Sequence, residues 1–141
     1  MRYFPIFLDL DGRKAVIVGG GIEALNKARL LAKTDAKIAV IASKLHKDLA
    51  EMVNSGRVER LARQFSPELL DDAALVYAAD RTLDAEVAAA AQVRGIPVNA
   101  VDAAPISTFI TPSIVDRDPV VIAIGTEGAA PVLGPQRFSD R

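Results

Sequence analysis

Ala15-Val16-Ile17-Val18 runs directly into Gly19-Gly20-Gly21, and an amphipathic stretch begins at Ala24. A short aliphatic run bounded by glycines suits a strand buried on both faces of a parallel sheet. In the stretch that follows, Ala28, Leu31 and Ala32 share one side while Lys27 and Lys33 remain available to solvent, which is the pattern of a helix packed on that sheet. The segment Gly19-Gly20-Gly21-Ile22-Glu23-Ala24 is therefore a G-x-G-x-x-A placed at a strand-to-helix turn. Gly19 permits the tight turn, Gly21 lets a pyrophosphate approach the backbone, and Ala24 allows close helix–strand packing. The free N–H groups and the positive end of the helix would face the phosphates, so Gly19 to Ala24, with Gly20, Ile22 and Glu23 between, form a candidate cofactor-binding turn. The competing reading is a purely structural glycine turn.

The rest of the chain repeats this alternation. Strands are expected at 15–18, 37–41, 58–61, 75–79 and 96–101. Helices are expected at 24–33, at 45–54 before Ser55-Gly56, in a short piece opened by Ser66-Pro67-Glu68, and at 83–94 before Gly95. Strands alternating with helices imply an α/β fold, a Rossmann-type parallel sheet with helices on both faces. After Asp102 the rhythm changes. Strands at 113–116 and 120–125 are separated only by Asp116-Arg117-Asp118-Pro119, so they form a hairpin and not another crossover unit. The expected organisation is a nucleotide-binding unit at 1–102 and a small β extension at 103–141.

Composition narrows the function classes. A chain of 141 residues with half of them hydrophobic has enough material for one domain with a real core. The formal net charge of −1 provides no global basic field for nucleic acid or an anionic membrane. Cys is absent, which removes disulfides, thiolate catalysis and zinc–cysteine sites, and a single His, His46, cannot build a His-rich metal cage. No resident metal is expected. Asp9 and Asp11 interrupt the apolar N-terminal run, so it is not read as a signal peptide. No apolar stretch approaches the roughly 20 residues that span a bilayer. The expectation is a soluble cytoplasmic protein.

Several polar residues carry two readings each. The acidic residue that usually grips the adenine ribose, about 20 residues beyond the glycines, is missing. Ala42-Ser43-Lys44 stands there instead; Ser43 could bond a ribose hydroxyl and Lys44 could tolerate a 2′-phosphate, which leaves NAD and NADP both open. Asp102 follows the fifth strand, whose C-terminal end faces the cofactor crevice in this topology. It could act as a general base beside a hydride acceptor or bond its own turn backbone. Asn99, three residues earlier, carries the same ambiguity. His46 and the Asp71-Asp72 pair are read as solvated, Asp116-Arg117-Asp118 as a polar turn, Glu127 as a loop carboxylate, and Arg57, Arg60 and Arg63 as a solvated strand edge.

Taken together, these pieces resemble the N-terminal domain of the siroheme synthase family, the precorrin-2 dehydrogenases and sirohydrochlorin ferrochelatases. The resemblance lies in Pro5-Ile6-Phe7-Leu8, the glycine turn, Lys27, Val98-Asn99-Ala100-Val101-Asp102, the stretch from Phe109 to Pro119, Val120 to Gly128, and Pro131-Val132-Leu133. It implies NAD-dependent oxidation of precorrin-2 to sirohydrochlorin in siroheme biosynthesis, with insertion of ferrous iron as a further activity in which iron is a substrate. The family's key aspartate falls on Asp102, which would take a proton while NAD takes a hydride. Lys27, Arg117 and Thr126 become candidate contacts for the tetrapyrrole, whose carboxylates need cationic partners. The strands after Asp102 would contribute to a homodimer.

The chain departs from the family pattern at three places. The first-helix Arg-Lys pair is Asn26-Lys27, a Ser-Ser pair is replaced by Gly125-Thr126, and after Leu133 the segment Gly134-Pro135 stands where the family continues into a long helix. This end is read as a truncation, with the last eight residues native or a frameshift product. The alternative function is accordingly a non-catalytic dinucleotide-binding and dimerisation module. A ligand-sensing domain of the kind attached to channels fits the glycine turn but leaves the Phe109 to Pro131 stretch unexplained.

Overall fold

The computed structural model describes residues 1–126. Glu127 and the Pro131 to Arg141 tail, singled out above, lie outside the described residues. The chain divides into two compact units, one comprising Phe7–Phe109 and the other Met1–Ile6 with the chain from Ile110 onward. The sequence places the seam near Asp102; the structural division falls between Phe109 and Ile110.

In the larger unit five strands alternate with helices. They are β1 (Lys14–Val18), α1 (Ile22–Leu31), β2 (Lys37–Ile41), α2 (Lys47–Asn54), β3 (Val58–Ala62), β4 (Ala73–Ala78), α3 (Asp84–Val93) and β5 (Val98–Ala100), with 3-10 turns at Pro67–Leu70 and Ala104–Ile106. The strands form one sheet in the order β3-β2-β1-β4-β5, every pairing parallel. The two sides of β1 serve different layers because successive side chains of a strand alternate faces. Ala15 and Ile17 pack with Ala24, Leu25, Ala28, Leu31 and Leu49 of α1 and α2. Val16 and Val18 pack with Val87, Ala88, Ala90 and Ala91 of α3. This is the Rossmann-type architecture expected from the sequence. Small alanines on α1 and α3 let both helices approach the sheet closely, which is how a core with few aromatics reaches native density.

Several expectations change. Helix 66–70 is a 3-10 turn, and β5 is confined to Val98–Ala100 because the chain turns at Val101-Asp102. β3 is the edge strand and Arg63 is exposed on it, as expected, but Arg57 and Arg60 are half-buried and bonded rather than solvated. Arg57 donates to the carbonyls of Ala32, Thr34 and Ala36 at 2.8 to 3.3 Å, tying the end of α1 and the entry to β2 onto β3. Arg60 donates to the carbonyls of Ala42 and Ser43, and Arg63 to Ser43, gathering the oxygens just beyond β2. His46 is likewise structural: it is the N-cap of α2, its Nδ1 accepting from the Asp48 N–H at 3.0 Å. Asp71 pairs with Arg94 Nε at 2.9 Å.

In the smaller unit β6 (Ser113–Arg117) and β7 (Val120–Ile124) form the expected antiparallel hairpin, with Ser113 opposite Ile124 and Arg117 opposite Val120. Ile114, Val120, Val121 and Ile122 are all exposed on it. No helix among the described residues is long and apolar enough to cross a membrane.

Candidate dinucleotide and substrate site

The sheet order reverses direction at β1 and β4, whose helices lie on opposite faces, and in such sheets ligands bind beyond the C-terminal strand ends at this switch point. The glycine turn stands at that point. Gly19 has φ of +136°, and a Cβ there would overlap the Ala79 carbonyl beyond β4. At Gly20 a Cβ would overlap the Lys44 carbonyl oxygen, while the Gly20 carbonyl accepts the His46 N–H at 2.6 Å. The first two glycines are thus demanded by the protein's own packing against the β4–α3 and β2–α2 connections. Gly21 differs. A Cβ on it would meet nothing within 4 Å, and no side chain caps the helix it opens. An uncapped helix start beside open space fits a phosphate group approaching the N–H groups. Ile22 and Glu23 are exposed here, whereas Ala24 is fully buried and acts through packing alone.

Ser43 and Lys44 are exposed on the connection whose carbonyls Arg60 and Arg63 hold and whose His46 N–H bonds the Gly20 carbonyl. The arrangement therefore keeps Ser43 within the β2–α2 connection that closes over the glycine turn. No carboxylate occupies that connection between Ala42 and Lys47.

On the α1 side of β4, Lys27 and Asn99 are joined by Tyr77, which sequence reasoning missed. Lys27 is half-buried, with Nζ 5.1 Å from the centroid of the Tyr77 ring, a cation–π placement. Burial pushes its ammonium below the usual lysine value, and the charges of Glu23 and Asp102 oppose that shift. Tyr77 is buried and meets Phe109 edge to face at 5.5 Å. Asn99 Nδ2 donates to the Phe109 carbonyl at 2.9 Å. Asn99 therefore anchors the segment after β5 through one of its two amide N–H donors. Tyr77 had one signal in the sequence, a lone aromatic phenol within a buried aliphatic run, Leu75-Val76-Tyr77-Ala78.

Asp102 is exposed and holds φ of +59°, the left-handed region that side chains seldom occupy. Its main-chain turn runs from Ala100 to Ala103, closed by the Ala103 N–H to the Ala100 carbonyl at 3.0 Å. The bond that closes this turn is a backbone one.

The structure thus assembles Gly19, Gly20, Gly21, Lys27, Asn99 and Asp102 within one compact unit. Arg117 and Thr126 belong to the other unit; Arg117 is exposed and donates to the Asp116 carbonyl. Among the described residues no group of three or more His, Asp or Glu side chains could hold a metal ion.

Comparison with known proteins agrees with this geometry. The model of a family described as "Putative NAD(P)-binding" matches residues 6–113. The siroheme synthase of Pseudomonas aeruginosa PAO1 is 47% identical over 135 residues, covering 94% of this chain and 29% of that protein. That of Methylobacillus flagellatus is 46% identical over the same span. The chain therefore spans under a third of the length of the curated relatives it matches. Among solved structures, SirC, precorrin-2 dehydrogenase, superposes with a TM-score of 0.75 at 24% identity, covering 98% of this chain and 69% of that one. At that identity the likeness concerns the fold. The chain belongs to the NAD(P)-binding family and is a relative of the N-terminal domain of siroheme synthases.

Proposed function

We propose that this chain carries out the dehydrogenase step of siroheme formation, the NAD-dependent oxidation of precorrin-2 to sirohydrochlorin. The observation that carries the reading is the pairing of two features on one sheet edge. The open Gly21 turn lies beyond β1, and the exposed Asp102 carboxylate lies beyond β5, near enough to Lys27 of α1 for its charge to act there. The 47% identity to siroheme synthases supports a tetrapyrrole substrate in this reading.

In this reading the N–H groups at the start of α1 and the glycine turn hold the pyrophosphate, and Ser43 bonds a ribose hydroxyl. NAD, when bound, supplies the hydride acceptor. Asp102 takes the proton that leaves the tetrapyrrole as its hydride departs, so the ring loses one hydride and one proton and gains one double bond. Lys27 offers a cation to a substrate carboxylate; its partial burial makes that contact stronger than one in water. Arg117 and Thr126 are proposed substrate contacts, and the exposed apolar hairpin is proposed to pair with a second copy of the chain.

The test is titration of the protein with NAD and NADP by calorimetry, followed by anaerobic incubation with precorrin-2 and the preferred dinucleotide. The reading predicts a preference for NAD and the appearance of sirohydrochlorin absorbance. Binding without turnover would favour the non-catalytic module, and absence of binding would overturn both.

A further inference from the structure

Asp102 is a non-glycine residue in the left-handed region, at the third position of a tight turn. Aspartate enters that region more readily than most side chains, and here the hydrogen bonds of the turn hold it there. The backbone supplies part of that constraint. The Val101 N–H donates to the Ala78 carbonyl at 3.0 Å, and the Ala103 N–H closes the turn.

The remainder comes from one hydroxyl. Ser107 Oγ accepts the Ala100 N–H at 2.9 Å and donates to the Ala103 carbonyl at 2.9 Å, with the Ala100 carbonyl also within 3.3 Å. It therefore touches the two residues, Ala100 and Ala103, that bracket Val101-Asp102. A hydroxyl can accept and donate at once, and this one uses both capacities on opposite ends of the same turn. The Ser107 N–H donates in turn to the Ala104 carbonyl, and the Thr108 N–H to the Val98 carbonyl at 2.8 Å, which fixes Ser107 against β5. Ser107 is half-buried while Asp102 is exposed, so the clamp acts through the backbone of the turn that carries the carboxylate.

We propose that Ser107 is the positioning residue for Asp102: its hydroxyl locks the left-handed turn and so holds the carboxylate at the position where it meets substrate. The assignment of a catalytic task to Asp102 rests on the function proposed above; the locking of the turn does not. Two readouts separate these. Amide hydrogen exchange on the full chain reads the clamp without substrate. In Ser107→Ala the amides of Ala100 and Ala103 should exchange at least about tenfold faster than in the wild type, while those of β1 and β2 stay unchanged. Ser107→Thr keeps the hydroxyl and should restore protection.

Turnover of precorrin-2 with NAD reads the consequence. Ser107→Ala should lower kcat about 10- to 100-fold, the scale expected when a reacting group is misplaced by roughly an ångström. Its NAD affinity should stay that of the wild type, and Ser107→Thr should recover most of kcat. A purely structural serine would lower thermal stability and leave kcat alone at a temperature where the variant is folded. Unchanged exchange at Ala100 and Ala103 in Ser107→Ala, or unchanged kcat in a folded Ser107→Ala, overturns the proposal. A wild type without turnover would count against the dehydrogenase reading and, with it, the catalytic half of this one; the exchange comparison would then decide the clamp by itself.

Discussion

Three adjacent glycines do three different things. Gly19 and Gly20 are required by backbone from two connections, Ala79 on one side and Lys44 on the other, and neither carbonyl can move cheaply. Gly21 faces open space in a backbone conformation, φ −88° and ψ −161°, that alanine adopts readily. Gly20→Ala should therefore destabilise the fold by about 1–3 kcal/mol. On a unit of this size that is a fall in Tm of about 5 °C or more, together with loss of NAD binding. Gly21→Ala should leave Tm within a few degrees of the wild type while weakening NAD about tenfold or more, near 1.4 kcal/mol. Thermal melts and calorimetry on the pair check this; equal damage to the fold by both would show that Gly21 serves packing as well. The general role of the turn was legible from its position between a strand and a helix. The role of Gly20 was not, because its reason is a carbonyl 24 residues away, contributed by Lys44.

Among the elements, the strands and helices were the most legible features, since aliphatic runs and helical spacing depend on neighbours in sequence. What sequence missed were contacts that cross between elements. Arg57 looks like a charged residue beside a marginal strand, yet its guanidinium fork finds carbonyls at Ala32, Thr34 and Ala36. No local pattern announces such partners. Asp84, the first residue of α3, is a second case. It is buried, and its Oδ1 accepts the Asp80 N–H at 3.1 Å, shaping the connection that leaves β4. Burial raises its carboxyl above the ordinary Asp value, and the Asp80 N–H only partly opposes this. The native state thus holds the proton more tightly than the unfolded chain does. The associated stability is fully present below the unfolded value and is lost as pH rises through the folded one. Asp84→Asn keeps an oxygen acceptor and cannot ionise. Its Tm relative to the wild type should be higher at pH 7 than at pH 3.5, as followed by circular dichroism; a difference independent of pH would contradict the buried-carboxylate account.

For the whole molecule, the fold class and its β extension follow from the order of elements, while the assembly depends on surfaces that sequence shows only as apolar residues. Among the described residues β6 and β7 pair only with each other, and Val121 is 46% exposed. A lone two-stranded hairpin is marginal in water, and exposed apolar strands invite a partner. With the proposed second copy covering it, sedimentation velocity should give a dimer for the wild type and a monomer for Val121→Asp. A monomeric wild type at micromolar concentration would contradict that assignment. The position of Asp102 just after β5 was legible from topology, but its left-handed φ was not, because aspartate gives no warning that glycine would.

This exposed carboxylate, at the same C-terminal side of the sheet as the open glycine turn, is proposed to take part in oxidation. The most direct measurement is the anaerobic rate of sirohydrochlorin formation from precorrin-2 and NAD for wild type and Asp102→Asn. Asparagine tolerates the same left-handed conformation, so the turn is kept and only the base is removed. The account predicts a rate at least about a hundredfold lower for Asp102→Asn with NAD affinity unchanged; equal rates for the two proteins would contradict it.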